Sequence, residues 1–337
     1  MNNPLVSIVI VNFNGKKWLK DCLTSVFKQT YKNYEVIFVD NNSSDESVDY
    51  VKKNYPKVKI INNHVNTGFA GGNNLGFSKS SGEYLLSINN DTKFGKHFLE
   101  KLLKSFENSN ISIAQPKIIS MDSGKIDSCG SYWTDSSFLY YIGNDKNPDL
   151  KKYNKPFPVF SIKGVALLVK REVVEKIGLF DVDFWSYYEE TDLCQRAWLS
   201  GYESWYWPEA TIYHAMGGTS LNFDNEFIQF HNFKNKLCSI LKNFSAPELI
   251  KVLSVHVSIS TMLSITWLFQ GRFKHSFSLY RALAWNVLNI GKTYQKRVRV
   301  QSMRKMRDKD IFVKVKKNPR FEYYKFLFRA SFADYTD

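Results

Sequence analysis

Hydrophobic and polar positions follow two alternating periods along the first 120 residues. Short, nearly continuous apolar runs predict strands buried on both faces at 5–11, 34–40, 58–62, 83–88 and 111–119. Between them, apolar residues at helical spacing predict helices at 16–29, 45–54, 70–79 and 96–108. Strands alternating with helices across short links predict an α/β fold with a mostly parallel sheet flanked by helices.

The pattern changes twice further along the chain. Residues 121–160 are rich in aromatic and polar positions and are predicted to be loop, followed by a strand at 161–169, helices at 171–177 and 188–200, and strands at 202–206 and 210–214. After about residue 222 the pattern is helical, over 224–243, 246–269 and 274–295. We therefore expect an α/β domain over 1–220, with halves of about 1–120 and 121–220, and a helical C-terminal region over 221–337.

The positive charge of the chain is concentrated near its end. The 337 residues contain 46 Lys+Arg and 32 Asp+Glu, a net charge of +14, and residues 292–330 supply +11 of it with 14 basic and 3 acidic residues. A nucleic-acid-binding fold would not be so lopsided, although a basic tail that grips phosphates stays open as an alternative. An anionic membrane surface or an oligomer contact also fits such a segment.

Cysteine spacing and the apolar segments predict the compartment. The four cysteines are widely spaced without a CxxC pair, as in reduced cytosolic proteins, and the first apolar run follows no basic segment, so it is a poor signal peptide. Residues 252–269 are apolar, but seven of the eighteen are Ser, Thr or His, which favours an interfacial or packed helix over a membrane span.

Polar residues follow three of the predicted strands. Asn12-Phe13-Asn14, Asp40-Asn41-Asn42 and Asn89-Asn90-Asp91 come at strand ends, and ligands bind at the carboxyl ends of parallel strands. Asp40 is suited to accept from a pyrimidine N–H, Phe13 to stack on the base, and Asp91 to hold a divalent metal. Each segment alone would also suit an ordinary turn.

Three further segments carry candidate chemistry. The glycine-rich run over 66–76 precedes a predicted helix and matches neither the dinucleotide fingerprint nor a phosphate-binding P-loop, so an ordinary turn also explains it. The acidic run at 189–192 begins a predicted helix, where Glu190 is suited to act as a general base. His214 ends an apolar strand, a position where a histidine is more often structural.

Taken together, these motifs resemble the inverting glycosyltransferases of family 2, with the GT-A fold, and most closely a rhamnosyltransferase-like branch. The resemblance covers about residues 4–220 and rests on VSIVIVNFNG (6–15), VDNNSSD (39–45), NTGFAGGNNLGF (66–77), SINNDT (87–92), KGVALLVKR (163–171), GLFDVDFWSYYEETDLCQRAW (178–198) and HAMGGTS (214–220).

The resemblance implies a role for each matching position. Donor-binding positions would be Val11, Phe13, Asp40, Gly71, Asn74 and Asn90. Asp91 and His214 would hold Mg²⁺ or Mn²⁺ on the donor diphosphate, and Glu190 would be the catalytic base. In the same motifs, candidates for acceptor binding or for support of the base are Gly164, Trp185, Glu189 and Asp192.

This sequence departs from the family pattern at two positions. The metal motif begins with Asn89-Asn90, which leaves one acidic ligand, and Glu190 stands where Asp is usual, so Glu189 and Asp192 remain alternative bases. The motif of processive relatives is absent, which favours transfer of one sugar.

The implied substrates are a dTDP-rhamnose donor, or a UDP-sugar, and a saccharide or polyprenyl-diphosphate-linked acceptor in cell-surface polysaccharide synthesis. The implied location is the cytoplasmic face of the cell membrane, to which the C-terminal region would attach the enzyme peripherally. A sugar nucleotidyltransferase is a further alternative.

Overall fold

The first half of the chain alternates strands and helices as predicted. A computed structural model describes residues 3–215, 224–320 and 323. The strands are β1 (Val6–Asn12), β2 (Tyr34–Asp40), β3 (Lys59–Asn62), β4 (Tyr84–Asn89), β5 (Thr92–Phe94) and β6 (Ile111–Ser120). The helices between them are α1 (Lys16–Phe27), α2 (Ser47–Asn54), α3 (Gly68–Ser78) and α4 (Phe98–Leu103), the last followed by a 3₁₀ turn over Lys104–Glu107.

The predicted loop over 121–160 contains short strands. These are β7 (Ile126–Ser128), β8 (Ser131–Trp133), β9 (Leu139–Tyr141) and β10 (Phe157–Pro158). The chain continues through β11 (Ala166–Lys170), α5 (Arg171–Ile177), a 3₁₀ turn at Val182–Phe184, α6 (Glu189–Leu199) and β12 (Glu203–His214). β12 is one strand with a register shift between Trp207 and Thr211, where the pattern predicts two strands.

The central sheet is parallel in its first half and mixed in its second. Its order is β10-β12-β6-β11-β4-β1-β2-β3, and the pairs among β3, β2, β1 and β4 are parallel, as predicted. β11 is antiparallel to both β4 and β6, so β6 runs in the same direction as β4. β12 pairs in parallel with β6, and the predicted mostly parallel sheet is therefore confirmed, with β11 as an antiparallel insertion. The segment that leads from β6 to β11 contains short strands and no crossover α-helix, and therefore the chain returns in the opposite direction.

The antiparallel strand matters because it brings a second set of residues to the carboxyl ends of β1, β2 and β4. Ala166, which begins β11, pairs with Ile88 near the end of β4, and the carbonyl of Val165 accepts from the N–H of Asn89 at 3.0 Å. The residues that precede β11 therefore lie at this edge of the sheet. β12 reaches the same edge, because His214 pairs with Thr92 in β5.

Two apolar layers cover the sheet. Ile8, Ile10 and Phe38 belong to the layer that includes α1 and α4, whereas Val9 and Val39 belong to the layer that includes α3 and α6. The alternation of neighbouring residues between layers explains the continuous apolar runs in the sequence.

The described C-terminal residues are helical and share the second layer. The helices are α7 (Asn225–Asn243), α8 (Ala246–Phe269), α9 (Phe273–Leu288), α10 (Ile290–Ser302) and α11 (Asp308–Val315). The helix predicted over 274–295 is two helices that meet at Asn289. Ile240, Phe244 and Val315 are buried in the same core as α3 and α6. In the described part of the chain, α8 alone is long and apolar enough to cross a membrane by length and composition, and 33% of its apolar window is buried in the protein.

Candidate active site

Side chains at the ends of β1, β2 and β4 form one hydrogen-bonded group, as predicted. The amide of Asn12 donates to Oδ1 of Asp40 at 3.1 Å, and its Oδ1 accepts from Nδ2 of Asn90 at 2.6 Å. Oδ2 of Asp40 also accepts from the backbone N–H of Ser43 at 2.8 Å, which fixes the carboxylate. All three side chains are buried, so the three strand ends are held in one arrangement rather than forming separate surface turns.

Asp91, next to Asn90, faces a histidine whose orientation is set by a second carboxylate. Nε2 of His214 lies 3.5 Å from Oδ1 of Asp91, and Nδ1 lies 2.9 Å from Oδ2 of Asp127. Burial opposes ionisation of Asp127, but the charge of Lys163 and the hydrogen bond from His214 outweigh it and hold the Asp127 pKa below its ordinary value. An ionised carboxylate only accepts, so Nδ1 carries a proton and Nε2 faces Asp91.

Lys163 links this group to Glu190. Its Nζ lies 2.5 Å from Oδ1 of Asp127, and its backbone N–H donates to Gln115. The next residue, Gly164, lies beside Glu190, and its backbone N–H and the charge of Lys163 both act to lower the pKa of this carboxylate. A continuous series of contacts therefore runs from Asp40 through Asp91 and His214 to Glu190.

The environments of the three candidate carboxylates over 189–192 differ. Glu190 is half-buried, and its Oε2 is buried and accepts no hydrogen bond from any described residue. Burial raises the pKa of Glu190 against the opposing effect of the backbone N–H groups of Glu190 and Gly164. Glu189 is 4% exposed, and burial together with the neighbouring charge of Glu190 raises its pKa well above the ordinary value. Asp192 is fully buried and bonded to Arg196 and three residues of α7.

Gly164 leaves space beside Glu190. A Cβ at Gly164 would lie 3.8 Å from Cδ of Glu190 and 3.6 Å from the ring of Phe69, which is ordinary contact distance. A larger side chain at this position would extend toward the carboxylate. The absence of a side chain at Gly164 therefore avoids crowding of the Glu190 carboxylate.

The turn that precedes α6 is held by the C-terminal helices. Trp185, Tyr187 and Tyr188 have positive φ values of 62°, 73° and 73°, a conformation that costs free energy in residues with side chains. The amide of Asn235 in α7 donates to the carbonyls of Phe184, at 2.9 Å, and of two further residues, Ser186 and Tyr187. These bonds stabilise the strained turn immediately before Glu189 and Glu190.

Trp185 contributes to the same support. Its indole N–H donates to the carbonyl of Asn66 at 3.2 Å, and its own carbonyl accepts from the N–H of Ala70 at 3.0 Å. The ring packs on Phe227 and His231 of α7. Trp185 thus joins α3 and α7 to the turn before Glu190.

Several basic residues of the C-terminal segment form ion pairs and hydrogen bonds with other parts of the protein. Lys296 bridges Asp181 and Asp183, and Lys292 lies 2.6 Å from Asp183. Arg297 donates to two carbonyls near the end of α7. These cations have structural partners, so the concentration of charge in the sequence overstates the charge available to a ligand.

The glycine-rich helix α3 serves packing at several positions. A Cβ at Gly72 would come within 2.7 Å of Val11, and one at Gly71 within 2.6 Å of Thr67. The side chain of Asn74 exchanges two hydrogen bonds with the backbone of Phe180, at 2.8 and 3.1 Å. Asn74 and Gly71 therefore have packing contacts within the protein, and their place beside the nucleotide donor stays a prediction.

The remaining predicted donor residues lie at the end of β1. Val11 is half-buried against the apolar layer beside α3, and Phe13 is half-buried just after the strand. Residues 216–220 of the last predicted motif lie outside the described residues. Asp127 and Lys163, which connect the site, were not predicted, because Asp127 falls in the segment read as loop and its partners are distant in sequence.

The donor atoms around Asp91 fit part of a divalent metal site. Among the described residues no cluster of three or more His, Cys, Asp and Glu side chains forms a complete metal site. The Asp91 carboxylate and the Nε2 of His214 face each other, and a carboxylate on Nδ1 is the usual second partner of a metal-binding histidine. Two protein ligands suit Mg²⁺ or Mn²⁺ when phosphate oxygens and water complete the coordination.

Comparisons with known proteins identify the family of this chain. The family model for glycosyl transferase family 2 matches residues 7–178. A hexosyltransferase of low-salt glycan biosynthesis from Haloferax volcanii, Agl10, is 23% identical over 80% of this chain and 87% of its own length.

Two solved structures share the fold. A Pyrobaculum calidifontis mannosyltransferase, in complex with GDP-Man and Mn²⁺, has a TM-score of 0.54 at 14% identity, covering 89% of this chain and 86% of that one. Residues 1–349 of S. aureus TarS have a TM-score of 0.57 at 14% identity, covering 88% and 82%. The predicted GT-A fold with C-terminal helices is confirmed, and glycosyl transfer is favoured over nucleic-acid binding and nucleotidyl transfer. The chain belongs to glycosyl transferase family 2 and is a glycosyltransferase.

Proposed function

We propose that this enzyme moves one sugar, with inversion, from a nucleotide-diphosphate donor to a hydroxyl of a saccharide or lipid-linked saccharide. The favoured donor is dTDP-rhamnose, with a UDP-sugar as the alternative, and both follow from the motif resemblance. The observation that supports the proposal best is the series of contacts that joins Asp40, Asp91 and His214 to Glu190 at one edge of the sheet.

The donor half of the site is assigned to the ends of β1, β2 and β4. Asp40 accepts from an N–H of the base, Phe13 packs on the base, and Val11 borders it, while Asn90 lies near the ribose. Asp91 and His214 would hold Mg²⁺ or Mn²⁺, which when bound stabilises the charge that develops on the leaving nucleoside diphosphate. The donor and Mn²⁺ in the complex of the mannosyltransferase of similar fold support this assignment.

Glu190 is assigned as the base. Gly164 lies beside this carboxylate, and an acceptor hydroxyl that reaches it would donate its proton to Oε2, a buried atom with no hydrogen-bond partner among the described residues. The deprotonated oxygen attacks the anomeric carbon opposite the leaving group, which inverts the configuration. Asp192 is assigned to support, since its carboxylate is already surrounded by donors. Glu189 is more deeply buried than Glu190, which makes it the less accessible of the two carboxylates.

Replacement of Glu190 by Gln tests this role. We expect Glu190→Gln to lower the rate of sugar transfer by about 10²- to 10⁴-fold, the usual contribution of a general base, with donor affinity nearly unchanged. Glu189→Gln is the matched control and should retain most of the transfer activity. Full turnover in Glu190→Gln together with loss in Glu189→Gln would instead identify Glu189 as the base.

The donor and the metal are tested separately from the base. Thermal stabilisation by dTDP-rhamnose, UDP-sugars and GDP-mannose, with and without Mn²⁺, ranks the donors. We expect Asp91→Asn to reduce the Mn²⁺-dependent part of the stabilisation. If every nucleotide sugar stabilised the original chain and the Asp91→Asn variant equally, the assignment of the ends of β1, β2 and β4 to donor binding would be contradicted.

We further propose a polyprenyl-diphosphate-linked acceptor and a peripheral location on the cytoplasmic face of the cell membrane, in cell-surface polysaccharide synthesis. Transfer to a lipid-linked saccharide incorporated in vesicles, compared with a water-soluble saccharide, tests the acceptor. Higher kcat/KM on the soluble saccharide would refute this part of the proposal and leave the transfer chemistry unaffected.

A further inference from the structure

The helices α8, α9 and α10 expose an unusual amount of apolar surface. Phe269 is 89% exposed at the end of α8, and Leu288 is 84% exposed at the end of α9. Phe273, Phe277 and Tyr294 are also exposed. Single exposed apolar side chains are common, but large side chains that recur over three consecutive, contacting helices mark an interaction surface.

These side chains lie on one face of each helix. In α9 the exposed positions 273, 277, 280 and 287 follow helical spacing, while Ser276, Leu279 and Ala282 are buried. In α10 the exposed positions 290, 294 and 298 likewise recur every four residues. Each helix therefore packs on the protein with one side and presents a second apolar side outward. We call these outward sides of α8, α9 and α10 the apolar face.

Exposed cations lie beside the apolar face, although five cations of the same segment pair with carboxylates of the protein: Lys251, Lys292, Lys296, Arg304 and Arg307. Residues 249–307 contain eleven Lys and Arg and no Asp or Glu. Lys274, beside Phe273, and Arg299, beside Val298, are exposed. The cations Lys274 and Arg299 beside the apolar face are complementary to anionic lipid headgroups, whereas two copies of the face would bring these like charges together in a dimer.

The packing of α8 favours a position on the membrane over a span across it. His256 is buried, with Nδ1 3.3 Å from the hydroxyl of Ser137 and its ring against Phe138 in the α/β domain. Leu263 and Trp267 are buried in a cluster with Phe233 of α7. A spanning orientation would remove these contacts and place His256 in hydrocarbon, where an unpaired polar group is costly.

We propose that the apolar face of α8, α9 and α10 docks on an anionic bilayer, with its aromatic side chains inserted among the headgroups and Lys274 and Arg299 paired with lipid phosphates. This proposal names the surface through which the enzyme contacts the membrane. It rests on the proposed function only in the assumption of a lipid-linked acceptor. Docking needs no turnover, so its failure and the failure of the transfer reaction are distinguishable.

Vesicle sedimentation with the full chain tests the proposal. We expect binding to vesicles that contain phosphatidylglycerol, weaker binding to phosphatidylcholine vesicles, and a decrease with added salt. The triple variant Phe269→Ser/Phe273→Ser/Phe277→Ser should bind about tenfold or more weakly, since each aromatic side chain loses apolar contact with the lipid. Val313→Ser is the matched control, because Val313 is 87% exposed on α11, outside the apolar face, and it should bind normally.

The charge contribution has its own pair of variants. Lys274→Gln/Arg299→Gln should weaken binding to phosphatidylglycerol vesicles, while Lys52→Gln/Lys53→Gln in α2 removes the same charge elsewhere and should have little effect. All variants replace exposed side chains, so an unchanged melting temperature excludes misfolding.

Three results would overturn the proposal. Vesicle binding unaffected by the triple phenylalanine variant would place the contact elsewhere. A dimer that the triple variant dissociates, without vesicle binding by the original chain, would identify a second copy as the occupant. Retention in membranes after alkaline carbonate washing would identify a spanning helix.

Discussion

Asp127 is the carboxylate on which the connection across the site depends. Its side chain is fully buried, with one oxygen 2.5 Å from Nζ of Lys163 and the other 2.9 Å from Nδ1 of His214. Asp127→Asn keeps the size of the side chain and removes its charge. We expect the pKa of His214, which burial lowers but hydrogen bonds to Asp127 and Asp91 raise, to fall in this variant.

The size of the effect follows from the two contacts. Lys163 is 37% exposed and can be hydrated, so losing its partner costs little, whereas buried His214 loses a charge-assisted hydrogen bond. The expected loss in free energy of unfolding is about 2–3 kcal/mol. The new amide can also donate to Nδ1, which would move the imidazole proton to Nε2 and prevent this atom from binding a metal.

Transfer activity and its Mn²⁺ dependence measure the consequence. We expect kcat/KM to fall about 10- to 100-fold, the usual effect of changing the partner of a metal-binding histidine, with a higher Mn²⁺ concentration at half-maximal rate. Asp135→Asn is the matched control, because Asp135 also pairs with a lysine, Lys316, but is 53% exposed. It should change stability by less than about 1 kcal/mol and leave activity intact. Normal Mn²⁺ dependence in Asp127→Asn would refute the role of Asp127 in positioning His214.

Three further predictions concern the base and its supports. Burial raises the pKa of Glu190, and the base must be ionised to act. In a plot of kcat against pH, the acidic limb should therefore have its midpoint above the ordinary glutamate value of 4.5. A midpoint at or below this value would contradict the buried setting of Glu190. Asn235→Ala removes the side-chain hydrogen bonds to three turn carbonyls, of which that of Phe184 keeps the N–H of Ser186. We expect this variant to lower stability by about 1–3 kcal/mol and to lower kcat more than the affinity for the nucleotide sugar; an unchanged kcat would show that the turn does not position the base. Gly72→Ala would bring Cβ within 2.7 Å of Val11, and we expect it to lower the free energy of unfolding, measured by chemical denaturation, by about 1–3 kcal/mol. Gly95→Ala, whose Cβ would have no atom within 4 Å, should lower it far less. Equal effects of the two substitutions would contradict the packing role of Gly72.

The sequence predicted elements whose stability depends on local pattern. Runs such as Val6–Asn12 and Tyr34–Asp40 are buried on both faces, and this burial is readable as continuous apolar residues. Parallel pairing then brings the residues after β1, β2 and β4 to one edge, so the meeting of Asn12, Asp40 and Asn90 also followed from the sequence.

Contacts between distant segments were not predictable in the same way. Lys292 and Lys296 read as a free basic tail until the fold placed them against Asp181 and Asp183. The glycines of α3 read as a ligand loop, but the approach of α3 to β1 and of Thr67 to Gly71 gives several of them a packing role. Apart from Thr67, which caps α3 itself, the partner lies on another element, and spacing along the chain carries no record of it.

The sequence by itself determined the alternating architecture, the polar edge of the sheet and the family, because each depends on residues close together in the chain or on ordered motifs. The tertiary structure alone decided that β11 runs antiparallel, which brings Lys163 and Gly164 to the edge where Asp127 and Glu190 lie. The physical reason is that strand direction and buried ion pairs are set by how the whole chain packs, and the free energy of those contacts appears only when separate segments meet.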